Sequence, residues 1–380
     1  MVLRSIRRLA VAAACFGLLV PLDAAAQARD IVVGQVAPFS GPQAVTGRAI
    51  NAGIRLYLDQ VNAEGGVNGT PIRLVTRDDA QKADESVRLV RELIGEESPV
   101  ALIGTVSTAS NEALIADGIL ASSGVPMIGA VSGASSVIQG NNMFVIKASY
   151  HDEVKRLFES LASLGMKRVG LVYQDDAFGA DIIAGAQAAS AQTNVELTSQ
   201  IGYERNTTNV ESAVAAMIEA KPQVVFLGAT TAAAIEFVRQ YRDAGGDATI
   251  YGLSVIDTTQ LLNRLGPEGA RGYAFTVVLP LESQGTIGVN REYLRLREKS
   301  QDPDLSARSI EGFIAAKTLV HAIKAASNGG APSPAAVARA LRASGQVDLG
   351  GYVIDFSTPG RPGSAFVDFA MFGDGGKIFR

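Results

Sequence analysis

The chain has 380 residues, a formal net charge of −4, one cysteine, two histidines and no tryptophan. A mildly acidic chain without basic runs argues against nucleic acid and anionic lipid as partners, and the missing tryptophan excludes a pocket built on stacked indoles. The length exceeds a comfortable single core, so two domains are expected.

Residues 1–28 read as a secretory signal: Arg4, Arg7 and Arg8 form a basic start, Leu9–Leu22 is mainly apolar, and Ala26-Gln27-Ala28 offers small residues for cleavage after Ala28. The apolar run is too short and too near the terminus for a transmembrane helix. Loss of three arginines and Asp23 with the signal leaves a net charge of −6. Cys15 lies within the signal, and the large aliphatic residue that a lipoprotein box carries three positions upstream is missing. The mature chain then has no disulfide, no thiol nucleophile and no Cys-based metal site.

From Ile31 the chain alternates strand and helix. Ile31–Val36 is apolar without strict alternation, as in a parallel strand buried on both faces. Ile50, Ile54, Tyr57, Leu58 and Val61 recur at helical spacing and predict a helix over 47–64, ended by Gly65-Gly66. Strands follow at Ile72–Thr76, Val100–Ile103 and Pro126–Ile128, with helices marked by Val87, Val90 and Ile94 and by Thr108–Ser123. The rhythm restarts near Tyr150: a helix from Asp152 to Leu164, strands at Arg168–Tyr173, Val195–Ile201, Val224–Leu227, Thr249–Tyr251 and Tyr273–Val278, and helices after Gly179, near Val210–Ala220 and at Ala232–Ala244. Helices return at Arg291–Lys299, Ile310–Ser327 and Pro334–Ala343, and short strands at Tyr352–Phe356 and Ala365–Phe372 close the chain. Long crossovers between strands make right-handed βαβ units, and the recurrence predicts an α/β fold of two similar doubly wound lobes.

Ser40-Gly41-Pro42, Asn62-Ala-Glu-Gly-Gly-Val-Asn-Gly69, Asp78-Asp79 and Gln174-Asp-Asp-Ala-Phe-Gly179, in this order after an export signal, resemble the leucine/isoleucine/valine-binding family, the type I periplasmic binding proteins of ABC importers. The resemblance covers nearly all of 30–375. It implies two Rossmann-like lobes joined by a three-segment hinge, with crossings near Lys147–Tyr150, Val278–Pro280 and Gly350–Tyr352. The lobes are then 29–148 plus 280–351, and 149–279 plus 352–380. A ligand held between them stabilises the closed form.

Open α/β sheets bind ligands at the carboxyl ends of their strands. Gly104–Ser110 sits at such an end, where hydroxyls and free N–H groups suit a carboxylate. The family grips the ligand carboxylate with this loop, and Ser107 and Thr108 match its position; either also serves as a plain helix cap. Val131 and Ser132, within Gly129–Gly133, match a loop that completes that site, or form an ordinary strand-end turn. Thr46 falls where the family often has a wall tyrosine, Phe178 takes the matching place in the second lobe, Tyr150 stands beside the first crossing, and Thr230 replaces another aromatic wall. Amino-acid binders of this family pair the ligand ammonium with an acid where this chain has Ser254. Either Asp257, three residues on, supplies that charge, or the ligand is an organic acid without an α-ammonium, because a buried unpaired ammonium costs several kcal/mol. Arg308 aligns loosely with a further wall position.

Catalysis is not expected. His151 and His321 lie far apart, and neighbouring carboxylates such as Asp78-Asp79 and Asp175-Asp176 point opposite ways on extended chain. No nucleophile elbow or phosphate loop is present. The resemblance implies a monomeric periplasmic solute receptor with no metal or organic cofactor, and a permease with its ATPase as partners. The alternative is a ligand-sensing subunit of a signalling system on the same fold.

Overall fold

The computed structural model describes residues 30–281, 285–327 and 330–380; the expected export signal, with Cys15, lies outside them. The apolar runs of the first half form a parallel sheet: β1 (Ile31–Ala37), α1 (Ala44–Ala63), β2 (Ile72–Asp78), α2 (Ala83–Glu97), β3 (Ala101–Ile103), α3 (Thr108–Asp117), α4 (Ile119–Ser123), β4 (Met127–Ile128), α5 (Ser135–Ile138) and β5 (Met143–Phe144). Strand order is β2-β1-β3-β4-β5. The second unit follows as α6 (Tyr150–Ser163), β6 (Arg168–Asp175), α7 (Ala177–Gln192), β7 (Glu196–Glu204), α8 (Glu211–Ala220), β8 (Val224–Gly228), α9 (Thr231–Asp243), β9 (Thr249–Gly252), α10 (Thr258–Ala270) and β10 (Tyr273–Val277). Its parallel order, β7-β6-β8-β9-β10, repeats the arrangement of the first lobe. The expected pair of doubly wound lobes is therefore present.

Both faces of each sheet are covered, which explains the unbroken apolar strands. In β8, Val224 and Phe226 join the core toward α6 and α7, while Val225 and Leu227 join the core on the opposite face. The core holding Val154, Leu157 and Phe158 of α6 also holds Leu114 and Val137, so apolar packing runs from one lobe into the other.

After β10 the chain returns to the first lobe as α11 (Gly288–Arg297), α12 (Ser309–Ala326) and α13 (Pro334–Ala343). Helices α1 and α12 meet backbone to backbone. A Cβ on Gly53 would stand 1.8 Å from Ser309 O, and one on Gly312 would stand 2.1 Å from Ile50 O.

Four local expectations need correction. The helix expected over 108–123 is two helices, because Gly118 takes φ 75° and closes α3 before α4 begins. Helix α10 was not expected; Gly266 (φ 71°) and Pro267 interrupt its pattern. The short α5 and β5 were also unforeseen. The third crossing lies later than Gly350–Tyr352. Asp348 Oδ1 accepts from Gly350 N (2.9 Å) and so turns β11 (Gln346–Asp348) back into antiparallel β12 (Val353–Asp355). Phe356 then packs edge-on against Phe144 at 5.3 Å, and Gly363 N donates to Val145 O at 2.7 Å. Residues 352–363 thus stay with the first lobe. The chain crosses between Gly363 and β13 (Asp368–Phe372), which pairs antiparallel with β10 and then with β14 (Ile378–Phe379). The Tyr352 hydroxyl lies 2.8 Å from Ile146 O and 3.2 Å from Val278 O, so one side chain ties three distant segments together.

Candidate functional site

The carboxyl ends of the two sheets face each other across a cavity of about 50 Å³. The first lobe contributes Gln43, Thr46, Gln81, Val106, Ser107, Thr108 and Val131. The second lobe contributes Tyr150, Gln174, Asp176, Phe178, Thr230 and Val255. A water needs roughly 10–15 Å³ of such space, so this cavity has room for a handful of non-hydrogen atoms.

The strand-to-helix turn after β3 presents the hydroxyls. Ser107 caps α3 with φ 90°, its Oγ accepting from Ser110 N at 3.4 Å. Asn111 Nδ2 holds the turn by donating to Ser107 O at 2.7 Å. The first N–H groups of an α-helix lack intrahelical acceptors and sit at the positive end of its dipole. Thr108 Oγ1 lies 2.9 Å from Ser132 Oγ, which also accepts from Ala134 N. Ser132 is fully buried and does not line the cavity; it supports Thr108 from behind. Val131 lines the cavity, but its N–H is already given to Thr105 O at 2.7 Å. Thr46 Oγ1 donates to Gln43 Oε1 at 3.0 Å.

The opposite wall is a linked polar chain beneath two rings. Tyr150 and Phe178 meet edge to face at 5.1 Å. Tyr150 opens α6 behind the reciprocal cap of Ser149 and Asp152, and Asp176 caps α7 by accepting from Phe178 N at 3.0 Å. Thr230 N donates to Tyr203 Oη at 3.0 Å, and Gln174 Nε2 donates to Asp176 Oδ2 at 2.7 Å. Burial pushes the Tyr203 hydroxyl up to about 12, so it stays protonated. Arg205 completes the chain: Nε pairs with Asp176 at 3.1 Å, while Nη2 reaches Gln81 O at 3.2 Å and Ser107 Oγ at 3.5 Å in the other lobe. Among the described residues Asp176 is the only one lining the cavity with a formal charge, and that charge is already paired.

Ser254 and Asp257 lie elsewhere. Ser254 donates from N and Oγ to the buried Glu153 carboxylate, both at 2.9 Å, and its carbonyl accepts from Arg308 Nη1 at 2.7 Å. Asp257 caps α10 through Gln260 N (3.0 Å) and accepts from Ser306 Oγ (2.7 Å). It does not line the central cavity, and both its oxygens are engaged, so it is not placed to meet a ligand ammonium there. Arg308 faces a separate cavity.

Sequence reasoning missed Gln43, Gln81, Gln174, Asp176 and Arg205. Gln81 follows the Asp78-Asp79 pair, whose carboxylates shape the loop: Asp78 accepts from Phe39 N and Ala80 N, and Asp79 from Gln81 N and Ser86 Oγ. That motif was the available signal for Gln81. Arg205 follows β7 with no motif around it. Among the described residues no cluster of three or more His, Cys, Asp and Glu could hold a metal ion.

The sequence model of a family described as periplasmic binding protein matches residues 30–376. A Leu/Ile/Val-binding protein homolog 7 from Brucella suis biovar 1 (strain 1330) is 25% identical over 316 residues, covering 79% of this chain and 78% of that protein. The crystal structure of a substrate-binding periplasmic protein from Ralstonia solanacearum superposes with a TM-score of 0.88 at 42% identity, covering 92% of this chain and 99% of that one. An ABC-transporter solute-binding protein from R. palustris, solved with benzoate, shares the fold at a TM-score of 0.81 and 21% identity, covering 92% of this chain and 95% of that one.

Proposed function

The chain belongs to the periplasmic binding protein family, and from that premise we propose that it captures a small carboxylate-bearing ligand, an organic acid without an α-ammonium, between its lobes. It delivers that ligand to the permease of a branched-chain-amino-acid-type ABC importer, after export through the 1–28 signal, as a monomer and without catalysis. The relatives span both ligand chemistries, one named for leucine, isoleucine and valine and one holding benzoate. The observation that carries the reading is the charge inventory of the central cavity: Ser107, Thr108 and a helix N-terminus favour an anion, while the sole acid, Asp176, is bound to Arg205 and Gln174. An ammonium in this space would lack a charged partner, since Asp176 is engaged by Arg205 and Gln81 Oε1 is a neutral acceptor, at a cost of several kcal/mol.

In this reading Ser107 and Thr108 hold the carboxylate, Ser132 positions Thr108, and Tyr150, Phe178 and Val131 cover the ligand body. Thr46 and Thr230 add polar wall, and the buried Gln81 Oε1, which has no hydrogen-bond partner among the described residues, accepts from a ligand hydroxyl. The small volume favours short acids. Calorimetric titration with propionate, lactate and pyruvate against alanine and leucine tests this directly. Binding of a short acid is expected, and Thr108→Val should weaken it at least about tenfold, the lower end of the worth of one hydrogen bond to a charged group. Tight binding of leucine with none of the acids would sink the reading.

A further inference from the structure

Strand β1 carries one polar side chain, Gln35, in the run Ile-Val-Val-Gly-Gln-Val-Ala, and that side chain is fully buried. Its neighbours on the same strand face, Ile31, Val33 and Ala37, belong to the core that holds Ile50 and Ile54 of α1. An amide in such a place is costly unless its polar ends are hydrogen-bonded. Both ends are: Nε2 donates to Gly104 O at 3.2 Å, and Oε1 accepts from Nδ2 of the half-buried Asn51 on α1 at 2.8 Å. The second bond fixes which end of the amide faces Gly104. Packing alone asks for an apolar residue here, so the amide is explained by what it holds.

Gly104 opens the turn that leads to Ser107 and Thr108. It takes φ 66°, and a Cβ there would stand 2.8 Å from Ile54 Cδ1 and 3.1 Å from Gln35 Nε2. Ser107 closes the turn with φ 90°. A short turn with a positive φ at each end keeps its shape only where its surroundings over-determine it. At the far end Asn111 holds the Ser107 carbonyl at 2.7 Å, and Thr105 Oγ1 fixes Asn111 by donating to its Oδ1 at 2.6 Å. At the near end the Gly104 N–H already goes to Ile128 O at 3.0 Å, so Gln35 is what fixes the carbonyl side of that residue. Asn111 belongs to α3, which the turn itself begins, whereas Gln35 lies 69 positions before Gly104 and anchors the turn to β1 and α1.

We propose that Gln35 is a positioning residue for ligand capture: through the Gly104 carbonyl it sets the turn that aims Ser107 and Thr108 into the central cavity. The last link rests on the reading of that turn as the carboxylate grip. Gln35 itself does not line the cavity. Without its amide the buried Gly104 carbonyl loses its donor, and the ligand-free turn relaxes until that oxygen finds water. Binding must then restore the turn, so only a fraction of the molecules is competent and the apparent affinity falls by that fraction. The loss appears in the association rate, whereas loss of a direct contact, such as that of Thr108, appears in the dissociation rate.

Gln35→Met keeps the length of the side chain and removes both hydrogen bonds. Asn51→Asp leaves Gln35 in place but replaces the donor it faces by an acceptor, so the amide turns over and presents Oε1 to Gly104 O. This second variant keeps the test open should the first fold poorly. In isotope-labelled, ligand-free protein the backbone amide resonances of Thr105, Val106 and Ser107 should move or broaden in both variants, while those of Ile31 and Val32 stay. In a propionate titration both variants should bind about tenfold more weakly, the lower part of the penalty for an unpaired buried carbonyl, with slower association and an unchanged dissociation rate. Three results overturn the proposal: turn resonances unchanged in both variants, parental affinity despite moved resonances, or a weakening carried wholly by faster dissociation. A parent that takes leucine and not propionate sinks the carboxylate reading alone; the same comparisons are then made with leucine, and the ligand-free resonances stand as they are.

Discussion

Ser107 takes φ 90°, a region that residues with a Cβ rarely enter. The strain is held by Asn111, which fixes the Ser107 carbonyl, and by the first turn of α3. Strain of this kind collects where a side chain must face a ligand, and here it turns a serine toward the central cavity. Arg205 acts at the same point from the other lobe. Its pair with Asp176 is partly exposed, with side-chain exposures of 27% and 10%. Arg205→Ala should therefore change unfolding stability by no more than about 1 kcal/mol, yet release the second lobe from Gln81 and Ser107. Solution X-ray scattering of the ligand-free variant should give a larger radius of gyration than the parent, and bound ligand should leave faster. An unchanged profile and off-rate would reduce the contact to a bystander. Ser107 and Thr108 were legible because a strand, a glycine and two hydroxyl residues precede a helix. Arg205 was not, because nothing local distinguishes an arginine after a strand from a solvated one.

At the scale of elements, α1 and α12 show why helix propensity alone misleads. Glycine inside a helix costs about 1 kcal/mol relative to alanine, so Gly312→Ala would stabilise an isolated α12. In the fold the new Cβ would stand 2.1 Å from Ile50 O, a backbone atom that cannot swing aside. Overpacking of this kind costs about 1–3 kcal/mol and is felt by both helices. Urea unfolding should show Gly312→Ala less stable than the parent; equal or greater stability would mean that α12 slides at little cost. The same glycines read only as weak points in a helical pattern, because close approach of two backbones leaves no periodic mark. Helix α10 was hidden for a related reason: Gly266 and Pro267 break its pattern, while its start is stabilised by an Asp257 cap that the sequence also allowed as a ligand contact.

The whole molecule is joined where three segments cross. Tyr352 reaches the carbonyls of Ile146 and Val278, and beside it Lys147, Glu311, Arg308 and Glu153 form a buried charge cluster. Burial pushes the Glu153 carboxyl above its ordinary range, and hydrogen bonds from Thr276 and Ser254 with the charge of Lys147 offset only part of this. The folded protein therefore holds this proton more tightly than the unfolded chain. The resulting stability is fully present below the ordinary carboxylate value and is lost as pH rises through the elevated folded value. Glu153→Gln should flatten the dependence of melting temperature on pH and gain on the parent toward neutral pH. Parallel curves for the two proteins from acid to neutral pH would contradict this.

What the sequence by itself determined is whatever repeats locally: apolar runs for strands buried on both faces, 3.6-residue spacing for the helices, glycine turns, and the ordered motifs that mark the family. These were enough for two doubly wound lobes and for a site at strand ends. What only the tertiary structure decided is which side chains meet. The central cavity draws on segments from Gln43 to Val255, and its composition depends on loop conformations such as the positive φ of Gln81 and Ser107. The position of the third crossing rests on Phe356 and Gly363 finding Phe144 and Val145, more than 200 residues away. Asp257 became a helix cap and Ser254 a partner of Glu153 through the same kind of long-range contact. Periodicity carries the direction of a side chain only within its own element, so contacts between distant elements are settled by packing.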